Sequence, residues 1–177
     1  MNSSKINTNF DFFTGQGFDV HPLAPLDEDH FIMICGIMIP CRFRLVAHSD
    51  GDVALHALVD ALLGAIGAGD IGEHFPPTDL QWQQADSSQF VLHALQLCHE
   101  KNVMLVNVDI TIIAEQPKIL PFKLAMKEKL MSLLHLSSNR INIKATTTEK
   151  LGFIGRSEGI AAMATVSVKA PVSTEGL

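Results

Sequence analysis

From Val103 to Ile113 the residues alternate so regularly that the segment reads as a β-strand. Val106, Val108, Ile110 and Ile112 fall on one face, and Leu105, Asn107, Asp109, Thr111 and Ile113 on the other, because successive side chains of a strand point in opposite directions. An apolar face of this kind is covered by other elements, whereas the half-polar face needs water or a partner. The expected class is therefore α+β: a two-layer sandwich in which helices cover one face of a mixed sheet of about four main strands.

Other strand-like runs are Gln16 to His21, Phe31 to Ile34 with a short return at Ile37 to Pro40, Ile141 to Ala145 and Ala161 to Lys169. Helical spacing appears over Asp52 to Ala65, Ser87 to Asn102 and about Ile119 to Leu136, where Pro121 is tolerable only within the first turn. With 177 residues, 47% hydrophobic and 18% charged, one core is expected, and no linker interrupts the chain after residue 15. The expected layout is a leader over 1–14, one domain over 15–170 and a tail over 171–177. The leader is polar and has no apolar stretch for secretion. A net charge of −6 excludes a general nucleic-acid binder, which needs clustered Lys and Arg. No membrane association is expected. Cys35, Cys41 and Cys98 have no C-x-x-C spacing and fit reduced thiols of a cytoplasmic protein.

Three residues suggest a divalent metal. Asp19 and His21, two apart in an extended segment, point to the same side and reach one ion together. His56 lies on the helix that begins behind Ser49, Asp50 and Gly51, with Asp50 or Asp52 as its N-terminal cap. Asp52 and Asp60 flank His56 at four-residue spacing, so either could steady its ring. Two imidazoles and a carboxylate suit zinc, and three protein ligands leave a fourth position for substrate or water. A D-x-H pair by itself is also met at surfaces and caps.

Anion-binding elements follow. The run TTTEKLGFIGRSEG brings together Thr146, Thr147, Glu149, Lys150 and Arg156, suited to phosphate oxygens and a hydrated cation; a Thr run before Glu also matches a helix capping box. AEQPKIL, Ala114 to Leu120, offers backbone groups to a base and Lys118 to phosphate, or is simply a strand-to-helix connection stopped by Pro117. His48 and Ser49 precede a helix N-terminus, which favours anions.

Five segments, in order GFDVH, LVAHSDGDVALHALVDALLGA, GDIGEHFPPTD, NVDITIIAEQPK and KATTTEKLGFIGRSEGIA, resemble the motifs of the 2-C-methyl-D-erythritol 2,4-cyclodiphosphate synthase family of the non-mevalonate isoprenoid pathway. The resemblance spans roughly Gly15 to Lys169 and is far more specific than one short pattern. It implies a metal-dependent, CMP-releasing lyase. The substrate, 4-diphosphocytidyl-2-C-methyl-D-erythritol 2-phosphate, closes on itself when its 2-phosphate attacks the β-phosphorus.

The resemblance also implies Zn2+ on Asp19, His21 and His56, which through the metal contact the substrate, and Mg2+ or Mn2+ on Glu149. Thr146, Thr147 and Glu149 would hold the cytidine diphosphate, with His48, Thr147 and Glu149 as the catalytic set. Ala114, Pro117, Lys118, Ile119 and Leu120 would form the cytidine loop. His48 and Ser49 would hold a phosphate, and Asp70, Ile71, Gly72, Phe75 and Asp79 the methylerythritol end. A homotrimer is implied, with sheets packed about its axis and active sites between subunits. Phe153 and Arg156 would line an axial cavity that takes isoprenoid diphosphates, unless Arg156 and Glu158 are only an interface pair. The location implied is cytoplasmic, or plastid stroma after removal of a transit peptide.

Relatives are sometimes fused to a cytidylyltransferase, and a chain of this length is expected to be monofunctional. The sequence departs from the family pattern at Gln16, where His is common, at Pro77, where an acid is frequent, and at Ile154, where Thr is usual. Two other classes use some of the same residues: a metal-dependent phosphohydrolase, giving a linear product, and a non-enzymatic sensor of cytidine nucleotides or isoprenoid diphosphates.

Overall fold

A computed structural model describes residues 9–47, 49–76, 78–82 and 85–172. Its frame is one five-stranded sheet in the order β2-β1-β5-β3-β4, formed by β1 (Phe10–Ile34), β2 (Ile37–Leu45), β3 (Met104–Ile113), β4 (Ile141–Thr146) and β5 (Gly159–Pro171). Among the described residues only β3 and β4 run parallel. The expected two-layer mixed sheet is found with five strands rather than about four: the expected short return at Ile37 to Pro40 is a full nine-residue strand, β2, while Gln16–His21 and Phe31–Ile34 run together in the single β1. Its first half, Phe10–Pro22, pairs with β5 and its second half, Leu23–Ile34, with β2, the latter ladder shifting register between Pro25 and His30. Phe10 to Thr14 pair with Pro171 to Ser167, so the part of the expected leader from Phe10 onward is strand, and the first residue of the expected tail ends β5. Residues 1–8 and 173–177 lie outside the described residues.

In β3 the alternation holds from Asn107 onward: Val108, Ile110 and Ile112 are buried. Val106 has no partner in the ladder with β5, whose register shifts between Leu105 and Asn107. The extra residue switches faces, so Leu105, opposite the buried Val168, turns to the core side.

Four of the helices are α1 (Val53–Ala65), α2 (Ile71–His74), α3 (Ser88–Glu100) and α4 (Lys123–Leu134). A 3₁₀ turn at Leu120–Phe122 takes Pro121, so the third expected helix starts later than its sequence pattern. Apart from Asp60 and Gly64, α1 is buried on every side, as a helix apolar all round must be.

Its approach to the sheet depends on two glycines. A Cβ at Gly17 would lie 1.9 Å from the carbonyl oxygen of Ala57, and one at Gly15 would lie 1.8 Å from that of Ala61. Glycine alone lets the backbones of β1 and α1 approach this closely. Gly15, Gly17, Asp19 and His21 share one side of β1, so the same contact lays α1 across the expected metal ligands.

Asp52 fixes the start of α1. Its Oδ1 accepts from the N–H groups of Cys35, Ala54 and Leu55 and its Oδ2 from Gly36 N–H. One carboxylate therefore caps α1 and the two-residue hairpin turn between β1 and β2, where Cys35 and Gly36 have φ of 53° and 71°.

Burial pushes the Asp52 carboxyl up to about 6 from its ordinary 3.8, against the backbone donors that favour the charged form. A pKa raised by folding contributes stability that is present below the unfolded pKa and lost as pH rises through the folded one. Relative to Asp52→Asn, which does not titrate, the wild type should lose up to about 3 kcal/mol between roughly pH 4 and pH 7. Urea unfolding of both proteins across that range checks it; a constant difference would refute it.

Candidate active site and metal centre

Asp19 and His21 from β1 meet His56 from α1. His56 Nδ1 lies 3.1 Å, and His21 Nε2 3.4 Å, from Asp19 Oδ2, and the three possible ligand atoms lie within 4.8 Å of one another. Around a tetrahedral zinc with ligand bonds of about 2.0–2.1 Å, donor atoms sit about 3.3 Å apart. The donor chemistry fits as well. His21 Nδ1 lies 2.8 Å from the Val20 carbonyl, which can only accept, so Nδ1 carries the proton. Nε2 is left with a lone pair, buried, without a hydrogen-bond partner among the described residues and facing a carboxylate oxygen. A cation satisfies both groups. Burial pushes the Asp19 carboxyl up, but contact with His56 and attraction to the two imidazoles whenever these are protonated outweigh it and hold the pKa below its ordinary value.

The cluster borders a cavity of about 550 Å³. Of the expected residues, His21, Ser49, His56, Ile71, Gly72, Phe75 and Asp79 line it. Sequence reading missed the apolar wall made by Trp82, Phe90, Val46, Ala47 and Leu80. Its centre is an aromatic cluster in which the ring centroid of Phe75 lies 4.4 Å from that of Phe90, tilted, and 5.0 Å from that of Trp82, edge-on. Asp70 does not line it; its side chain caps α2 by accepting from Glu73 N–H. His48 and Pro77 lie outside the described residues.

Neither acid expected to steady His56 does so. Asp52 is occupied as above, and Asp60 accepts from Ile71 N–H, fastening α2 to α1, with its pKa raised by burial. The side-chain contacts of His56 Nε2 are instead Ser49 Oγ at 3.1 Å and Ser87 Oγ at 2.9 Å.

Ala114, Pro117, Lys118, Ile119, Leu120, Thr146, Thr147 and Glu149 do not line that cavity. They gather where β3 and β4 end side by side. Glu115 Oε1 accepts from the N–H groups of Thr148 and Lys150, tying the two loops together. Thr147 Oγ1 donates to Glu149 Oε1. Glu149 and Lys150 hold left-handed backbone, at φ of 51° and 65°. The Thr run caps no helix among the described residues: α5 (Gly152–Gly155) has Leu151 as its N-cap and no side-chain cap. A second cavity, of about 410 Å³, brings Pro117 and Lys118 together with Arg42 and Phe43 of β2. Arg156 donates two bonds of 2.9 Å to Glu158, the pair anticipated as the plain alternative to an anion clamp, and Phe153 beside it is exposed.

A family model described as the YgbB family matches residues 12–169. The chain belongs to the YgbB family. Curated relatives in this family include the "Bifunctional enzyme IspD/IspF" of Bartonella bacilliformis, 55% identical over 161 residues, which are 91% of this chain and 40% of the relative. The chain thus spans less than half the length of that relative. A structure titled "Structure of 2C-Methyl-D-erythritol-2,4-cyclodiphosphate Synthase" superposes with a TM-score of 0.79 at 37% identity, covering 88% of this chain and 99% of its own. The "IspF (Plasmodium falciparum) CDP complex" gives 0.78 at 34% identity, covering 92% and 97%. Among the described residues no helix is long and apolar enough to cross a membrane.

Proposed function

We propose that this chain converts 4-diphosphocytidyl-2-C-methyl-D-erythritol 2-phosphate into 2-C-methyl-D-erythritol 2,4-cyclodiphosphate and CMP, as a metal-dependent phosphorus–oxygen lyase. The observation that carries this reading is the convergence of Asp19, His21 and His56 beside an apolar-walled cavity, in a family that includes a synthase of that name and a CDP complex. An oxygen of the 2-phosphate bonds to the β-phosphorus while the bond from that phosphorus to the bridging oxygen breaks, and the α-phosphate leaves as CMP. No protein nucleophile is needed. What divalent cations supply, zinc on Asp19, His21 and His56 and magnesium or manganese on Glu149, is charge neutralisation and polarisation of phosphoryl oxygens. The chain does the positioning: His48, Ser49 and Asp79 orient the phosphate and hydroxyl groups, with Asp70, Ile71 and Gly72 at the methylerythritol end. Phe75, Trp82 and Phe90 keep water from competing with the internal nucleophile.

In this reading Ala114, Pro117, Lys118, Ile119, Leu120, Thr146, Thr147 and Glu149 hold the cytidine diphosphate. Their absence from the lining of the metal-side cavity supports a homotrimer with active sites between subunits. So does the uncovered sheet face, where Phe18, Val20 and Met163 are exposed beside polar residues. Phe153 and Arg156 then line the axial cavity, where an isoprenoid diphosphate competes with Glu158 for Arg156. Three free thiols support a reducing, cytoplasmic location.

Incubation of the metal-loaded protein with the substrate, followed by 31P NMR, should give CMP and the cyclic diphosphate in equal amounts. A linear product would indicate a hydrolase instead, and tight nucleotide binding without turnover a sensor. Glu149→Gln should raise the magnesium or manganese concentration needed for half-maximal turnover by about tenfold or more, with bound zinc unchanged. An unchanged titration would remove Glu149 from this role.

A further inference from the structure

The Asp50 carboxylate reaches His56 through a buried serine. Ser87 is fully buried and sits at the N-terminus of α3, where a serine hydroxyl ordinarily caps the helix; here it makes no capping bond. Its hydroxyl instead donates to Asp50 Oδ1 in a short contact, and its own N–H donates to Asp50 Oδ2 at 3.1 Å. Asp50 is held in turn: its N–H donates to the Ala85 carbonyl, and Oδ1 also accepts from Asp52 N–H. A serine hydroxyl has one proton. With that proton given to Asp50, Ser87 Oγ can only accept from His56 Nε2, 2.9 Å away. A proton on Nε2 leaves Nδ1 as the ligating nitrogen, turned to Asp19 Oδ2 at 3.1 Å.

We propose that Asp50 and Ser87 are positioning residues for the metal centre: the relay from Asp50 through Ser87 to His56 keeps the proton on Nε2 and fixes the ring with Nδ1 aimed at the ion. Partners of this kind set the tautomer and orientation of a ligating imidazole, and their loss typically weakens metal binding by about 10–100-fold. The departure from a local rule supports the assignment, since residues that forgo their usual structural role cluster at functional sites. The relay joins residues 31 and 37 positions apart, and Ser87 falls outside the five motifs read from the sequence.

The inference rests on the metal reading of Asp19, His21 and His56 and is independent of the cyclisation chemistry, so its test uses no turnover. Zinc affinity is measured by competition with a chromophoric chelator for the wild type, Ser87→Ala, Ser87→Thr, Asp50→Asn and Ser88→Ala. Ser87→Ala should bind zinc about 10–100-fold more weakly and Asp50→Asn several-fold more weakly. Ser87→Thr, which keeps the hydroxyl, should recover most of the loss. Ser88→Ala, next door and buried with a hydroxyl that has no partner among the described residues, should match the wild type. In the metal-free wild type, 15N NMR of the imidazole should show a proton bound to His56 Nε2, a result independent of whether any variant folds. An unprotonated Nε2, or a Ser87→Ala affinity within twofold of the wild type, would overturn the proposal.

Discussion

Replacing His56 by Ala should reduce bound zinc from about one per chain to near none and slow CMP release by roughly 10³-fold or more. The magnitude follows from the role: a metal that polarises a phosphoryl oxygen is worth several kcal/mol in the transition state, and each 1.4 kcal/mol is about a factor of ten. His56 is the one member of the cluster carried by α1 rather than β1, so its loss leaves Asp19 and His21 as two neighbouring ligands, too few for a stable three-ligand site. Since the ring is nearly buried, His56→Gln, which keeps most of the volume, provides a second variant should the alanine protein fold poorly. Metal analysis of the purified proteins and a CMP-release assay read the result. A zinc-free variant that still cyclises at the wild-type rate would remove this cluster from the chemistry.

The second large effect is expected at a residue with no functional group. Gly17→Ala would place a methyl 1.9 Å from the Ala57 carbonyl oxygen, a backbone atom that no side-chain rotation can move away. The helix must shift by more than 1 Å, at a cost of about 3 kcal/mol, the upper end of ordinary overpacking. The same shift separates His56 from Asp19, and a misplacement of that size costs about 10²-fold in rate. Gly64→Ala, on the same helix with nothing within 4 Å of the added methyl, should instead stabilise by about 0.5–1 kcal/mol. Thermal unfolding and zinc titration of the two variants separate close approach from helix propensity. Equal behaviour of the two would refute the packing argument.

These two variants also mark how far the site was legible in the sequence. Asp19 and His21 could be paired from spacing alone because an extended chain repeats every two residues. The helix carrying His56 followed from its own apolar spacing, and Asp52 was one of two acids placed at its cap. Choosing the acid that steadies His56 failed: Asp52 and Asp60 share its helix face in sequence, yet both are occupied by backbone donors. The sheet has one strand more than the expected four because the short return after Ile37 extends to Leu45 along β1, while β1 itself bends from one ladder into another without a break in the chain. The bulge at Val106 also left no mark, since valine suits either face. Glu115 gave no signal either, because its partners lie more than 30 residues onward in a loop.

The sequence by itself determined the class of fold, the three ligand types, the order of the motifs and hence the family, all features written within a few turns or strand repeats of the chain. Only the tertiary structure decided that α1 lies close enough to β1 to complete the metal cluster. It alone supplied the aromatic wall of the cavity and put Ser87 and Asp50 behind His56. The physical reason is range. Periodicity and capping are set by neighbours within about four residues, whereas the His56–Asp19 contact spans 37 residues and exists because two glycines let two backbones touch.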